Sequence, residues 1–313
     1  MDALPSLSGA NGWLNSPPLT AEGLRGRVVL VDFWTFTCVN WLRTLPYLRA
    51  WDARYRERGL TIVGVHTPEF DVEHGIDDVR RAVESFGIGY PVAIDNDYAV
   101  WEAFENHYWP ALYLADAEGS IRYRHFGEGR YDDTERAIQG LLDAPGDLVA
   151  VAPTGAEVAA DLNDLDSPET YVGYARGERL ASPEQVETDV PRSYSIPETL
   201  RRNEWALSGE WTVGREATVL DAPGGAVAYR FHARDVNLVL APPNPETPVR
   251  LRVLLDGRPP GADHGADVDE TGAGEVTEPR LYQLVRRHGP IGDATVEVAF
   301  SDEGVQAFVF TFG

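Results

Sequence analysis

Apolar runs and polar interruptions divide the chain into two stretches of different rhythm. In the first, short apolar runs alternate with segments whose apolar residues recur at helical spacing. The run 27–34 is Val, Leu, Phe and Trp broken only by Arg27 and Asp32, and predicts a buried strand. Residues 41–57 place Leu45, Leu48 and Tyr55 on one helical face, with Gly59 as the stop. A second buried strand is expected over 60–66, a helix over 77–86 ended by Gly87, and a short strand over 90–94. A helix over 98–107 follows, then a hairpin of 111–115 and 121–126 around Glu118 and Gly119, and a last helix over 134–142. This alternation, closed by a hairpin and a helix, predicts an α/β domain with a central sheet over 1–145.

Residues 146–166 are rich in Pro, Gly, Ala and acids and read as a linker. From 167 to 313 the pattern is short β-rich runs bounded by turn residues, at 211–213, 226–231, 237–240, 249–255, 280–285, 294–300 and 307–312. That spacing predicts an all-β sandwich, jelly-roll-like. Asp256 and Gly257 mark a tight turn. The polar, Gly-rich stretch 257–278 is expected to be a mobile loop.

Composition narrows the function classes. No segment of the 313 residues approaches the ~18 uninterrupted apolar residues of a membrane span. The first residues lack the basic and apolar regions of a signal peptide, so the expected location is cytoplasmic. The net charge of −23 is spread over both halves, with no basic stripe to neutralise phosphates. Nucleic acid is therefore excluded as a partner, and anionic membrane surfaces are disfavoured. All 27 basic residues are Arg, so no lysine ammonium is available to lower a thiol pKa. The single cysteine, Cys38, rules out an internal disulfide and an all-cysteine metal site. The seven histidines are scattered, and His66, His74 and His107 read as exposed or hydrogen-bonded loop residues. No metal site and no cofactor is implied.

The chemistry therefore rests on Cys38. It follows a strand and a turn and opens a helix, where unpaired N–H groups favour a thiolate. The opposing reading is a buried, inert cysteine. Asp32 lies six residues earlier inside an apolar strand, where a carboxylate is costly without a proton-handling or hydrogen-bonding role. Pro46 bends the helix, and Trp109-Pro110 before the hairpin is a candidate cis bond.

Asp32-Phe33-Trp34 before Cys38, then Pro46, then the Pro110 loop, resembles the thioredoxin superfamily. The blocks 34–40, 65–70, 90–96, 108–111 and 126–129, in that order, are similar to the soluble C-terminal part of DipZ-type, TlpA-like proteins. The resemblance implies a thioredoxin-like α/β domain followed by a carbohydrate-binding-module-like β domain. It implies Cys38 as the attacking cysteine, Asp32 as the buried acid and Pro110 as the cis-proline. The chain departs from the family where Trp41 stands in place of the second cysteine of CxxC.

A lone thiol can open a disulfide but needs an external thiol for release. The expected function is monothiol thiol–disulfide exchange, with Trp34, Trp41 and Trp109 as an apolar floor or as plain core. The implied partners are a disulfide-containing protein or a low-molecular-weight thiol, and a membrane redox partner not encoded in this chain. Two alternatives stay open. One is a degenerate thioredoxin fold kept as a binding module. The other is a thiol peroxidase, for which Thr35 fits and Val31, where that family places proline, does not. In the β domain, Trp205, Trp211, Tyr229 and Tyr282 are either a sugar-stacking platform, making a glycan the ligand, or core. Asp263, Asp267, Asp269 and Glu270 lack the ordered spacing of a calcium loop and read as a solvated acidic loop.

Overall fold

The computed structural model describes residues 3–313, which divide into two compact units, one ending at Val158 and the other spanning Ala159–Gly313. The first unit runs β1 (Gly12–Leu14), β2 (Val28–Trp34), α1 (Val39–Tyr55), β3 (Leu60–His66), α2 (Ile76–Ser85), β4 (Val92–Ile94), α3 (Ala99–Ala103), β5 (Ala111–Ala115), β6 (Ile121–Phe126) and α4 (Tyr131–Leu141). Its six strands form one sheet in the order β1-β4-β3-β2-β5-β6. β2 is parallel to β3, and β3 to β4; β2 and β5 are antiparallel. All seven residues of β2 are buried, as a strand covered on both faces requires.

Side chains alternate across β2. Val29, Val31 and Phe33 pack in one cluster with Val100 and Phe104 of the α3 segment. Asp32 and Trp34 point to the other face, where both meet Trp41 of α1. This face carries the candidate chemistry. The helix expected over 98–107 is confined to Ala99–Ala103. Glu105 takes a positive φ of 50°, the Asn106 backbone amide reaches back to the Trp101 carbonyl five residues earlier, and its side-chain amide donates to the Tyr108 carbonyl, so the backbone leaves the helix there.

The second unit contains β7 (Thr170–Tyr171), β8 (Arg192–Tyr194), β9 (Trp205–Val213), β10 (Thr218–Leu220), β11 (Ala226–His232), β12 (Asp235–Ala241), β13 (Val249–Leu255), β14 (Ala273–Val276), β15 (Arg280–Arg286), β16 (Asp293–Phe300) and β17 (Gln306–Phe312). They form an eleven-stranded antiparallel sheet that curls on itself, as a β-sandwich domain does. The fold-over lies within β9. Residues 205–208 pair with β11, whereas 209–213 pair with β8 and β10. Gly209 marks the change, with φ 97° and room for no Cβ, since one would stand 2.7 Å from the Gly225 Cα. Alternating buried and exposed residues in β13 send its apolar face inward.

The stretch 257–278 departs from the expected mobile loop. It contains β14, paired with β13, and the Asp269 carboxylate accepts the amides of Thr271 and Ala273 to set the turn. Turn-forming Gly and Asp hid a short strand whose burial comes only from its neighbours. Asp256 and Gly257 both take positive φ, 49° and 73°, as a tight turn demands. Among the described residues no helix is long and apolar enough to cross a membrane.

Candidate functional site

The buried run of β2 ends at Trp34, and the chain turns through 35–37 to place Cys38 as the N-cap of the 17-residue α1. The Cys38 amide donates to the Thr35 carbonyl at 3.3 Å, and its own carbonyl accepts the Leu42 amide at 3.0 Å. The residue is half-buried, no side-chain bond caps the helix, and the first turn of α1 carries no acid. A thiol there faces the positive end of the helix dipole with no neighbouring carboxylate in that turn to oppose it.

Strand register brings the other parts to the same edge. Trp34 lies opposite His66 at the end of β3, and Phe33 opposite Ala111 at the start of β5. The residues before Ala111 are Trp109 and Pro110, joined by a cis peptide bond. The Pro110 carbonyl accepts the Gly127 amide at 2.8 Å, which ties this loop to the turn after β6. Arg43, buried in the first turns of α1, bonds Glu128 in that same turn at 2.8 Å.

Asp32 is fully buried, and burial pushes its carboxyl up to about 7. Its Oδ2 accepts the Trp41 indole N–H at 2.9 Å, which acts in the opposite direction, while no group among the described residues donates to Oδ1. The Trp41 ring stacks on Trp34 with centroids 4.3 Å apart. The side chain standing where a second thiol is expected is thus the hydrogen-bond partner of the buried acid.

Of the expected apolar floor, Trp34 and Trp41 have no exposed surface and form core, so neither is positioned to touch a docked peptide. Trp109 is half-buried; its Nε1 donates to the Thr67 carbonyl at 3.1 Å and its ring lies 4.3 Å from that of Trp101. The accessible aromatic surface beside the cis bond belongs instead to Tyr108 and Phe126, 54% and 45% exposed and 5.3 Å apart.

Two further residues belong to this region. His66 is fully buried rather than a loop residue, and among the described residues neither ring nitrogen has a hydrogen-bond partner. Burial pushes it down to about 3, and its ring lies between Phe36 and Trp34. Its place at the end of an apolar run was the available signal. Glu73 is also fully buried, pushed up to about 7 by desolvation and then by the charge of Glu69. Thr37 Oγ1 donates to its Oε1 at 2.5 Å, and the amides of Glu69 and Phe70 donate to Oε2. Nothing in the local sequence separates it from the solvated acids around it.

Among the described residues no group of three or more His, Cys, Asp or Glu is placed to hold a metal. In the second unit, Trp205, Trp211, Tyr229 and Tyr282 are buried in the core and present no stacking platform. The acids of 263–270 are engaged locally: Asp267 pairs with Arg280 at 2.8 Å, and Asp263 accepts the His288 amide.

Residues 2–142 match the Redoxin family and 167–313 the Thioredoxin like C-terminal domain. Protein DipZ of Mycobacterium tuberculosis is 34% identical over 99% of this chain, which spans 42% of the length of that protein. Thiol-disulfide oxidoreductase YkuV of Bacillus subtilis is 29% identical over 44% of this chain and 93% of its own. A solution structure of a thioredoxin-like protein in the oxidized form shares 28% identity over 46% of this chain and 97% of its own, with a TM-score of 0.42. By these matches the first half of the chain is a Redoxin, thioredoxin-like domain and the second half a Thioredoxin like C-terminal domain.

Proposed function

We propose that the chain carries out thiol–disulfide exchange through Cys38 alone, with an external thiol as resolver. The observation that carries the reading is the half-buried Cys38 at the N-terminus of α1, at the sheet edge that also bears the cis Trp109-Pro110 bond. The Cys38 thiolate attacks one sulfur of a substrate disulfide; that S–S bond breaks, and the departing thiolate takes a proton from water. An external thiolate then attacks the Cys38 sulfur of the mixed disulfide and releases the second substrate thiol. A second external thiol restores Cys38 and leaves as the oxidised dimer, so one substrate disulfide is reduced for two thiols oxidised. The substrate class is a disulfide-bearing protein or a mixed disulfide with a small thiol, with Tyr108 and Phe126 as apolar contacts. Pro110 shapes the adjoining loop. Asp32, titrating near neutrality behind the site, serves as the local proton store.

The test is the pH dependence of Cys38 alkylation by iodoacetamide, with turnover of a glutathionylated peptide by added glutathione. The expected midpoint lies below the ~8.5 of an ordinary cysteine, and Cys38→Ser abolishes turnover. A thiol that stays unmodified until the protein unfolds overturns the proposal. The bond between Trp41 and Asp32 favours a second reading, in which the position of the resolving thiol has become core and the fold is a redox-inactive binding module. In that case Cys38→Ser binds its peptide as well as the parent does.

A further inference from the structure

The segment joining β2 to α1 has little backbone support of its own: the Cys38 amide reaches the Thr35 carbonyl at 3.3 Å. What anchors it is a side chain from elsewhere. Thr37, immediately before Cys38 and 2% exposed, donates its hydroxyl to Glu73, which is fully buried. Glu73 is itself fixed by the amides of Glu69 and Phe70 on its other oxygen, at the end of the short turn Asp71–Glu73. Among the described residues no cation pairs with this carboxylate; its donors are the Thr37 hydroxyl and two backbone amides, and the Thr35 hydroxyl of the same loop also lowers its pKa. A buried carboxylate is costly without such partners. The two amides would suffice to organise the local turn. The contact with Thr37, across 36 positions of sequence, serves a different segment.

The geometry points to Glu73 as the positioning residue of the Cys38 loop: it ties residue 37 to the turn 69–73 and so presents the thiol at the start of α1 in one orientation. Thr37 is its coupling partner. Neither group touches the reacting sulfurs; both act through the backbone that carries Cys38. The assignment rests on the reading of Cys38 as the nucleophile.

The experiment measures the iodoacetamide alkylation rate of Cys38 in the full chain, with folding of each variant checked by thermal melting. Thr37→Val, nearly isosteric, removes the hydroxyl donor, whereas Thr37→Ser keeps it. Thr37→Val is expected to slow alkylation by about tenfold, the loss of one hydrogen bond to a charged group, and Thr37→Ser to restore the rate. Glu73→Ala is expected to match Thr37→Val, and the double variant to be no slower than either, because one tie is being cut twice. Glu73→Gln, which retains the shape and a hydrogen-bonding oxygen, is expected to recover most of the rate. A folded Thr37→Val protein that alkylates like the parent overturns the assignment, as does full additivity in the double variant. Failure of the underlying reading looks different: the parent thiol is then inert in the folded state. There, cutting the tie would raise the rate by loosening the loop, and an unchanged rate overturns the assignment.

Discussion

Replacing Asp32 by Asn removes the charge of a carboxyl that the fold holds fully buried, and the consequence depends on pH with a sign that can be worked out. Burial raises this carboxyl from its ordinary 3.8 to about 7. The folded state thus favours the protonated acid, and the unfolded chain favours the carboxylate. The associated stability is fully present below pH 3.8, is lost as pH rises through the interval to about 7, and is absent above it. The complete penalty is about 4 kcal/mol, at ~1.4 kcal/mol per pKa unit, and roughly 2–3 kcal/mol of it accrues between pH 5 and pH 8. Asn does not titrate and can still accept the Trp41 N–H through its oxygen. The assay is urea unfolding of parent and Asp32→Asn at pH 5 and pH 8. Stability differences between the two proteins are compared, so the contributions of Glu73 and His66, common to both, cancel to first order. The variant should gain about 2–3 kcal/mol on the parent over that interval. A difference that stays constant with pH would mean that Asp32 is not held as a buried, high-pKa acid.

Three other outcomes follow from the geometry. Trp41→Cys empties the stack on Trp34, which should cost about 3–5 kcal/mol for the lost ring; it also places a second thiol one helical turn from Cys38, so mild oxidation should remove both thiols from a thiol titration without forming dimers. His66→Phe should flatten the acid side of the stability curve: His66 is pushed down to about 3, so the parent loses stability as pH falls from 6.5 toward that value, a loss read from melting temperature against pH. Gly272→Ala should destabilise the second unit by about 3 kcal/mol in denaturant unfolding, because a Cβ at φ 82° would stand 2.0 Å from the Val253 carbonyl oxygen.

The sequence by itself determined the order of strands and helices in the first unit from residue 27 onward, because apolar runs covered on both faces and amphipathic helices leave strong periodic marks; the three-residue edge strand Gly12–Leu14 leaves none. It also determined the β character of the second unit. It placed Cys38 at the start of a helix, since the end of a strand, a turn and the onset of helical spacing are all local features. Asp32 stood out for the same reason, as a charge within an apolar run. What only the tertiary structure decided was how side chains distant in sequence share one buried space. A tryptophan three residues after a cysteine can face solvent or core; contact with Trp34 and the need of Asp32 for a donor put Trp41 inside. Glu73 looks like any acid of a polar loop until the fold brings Thr37 and two amides around it and takes it out of water. His66 and the aromatics Trp205, Trp211, Tyr229 and Tyr282 carry the same ambiguity, since composition records that a ring is present but not which face of a sheet closes over it. Burial is a property of the assembled layers, and the chemistry of these groups is set by burial.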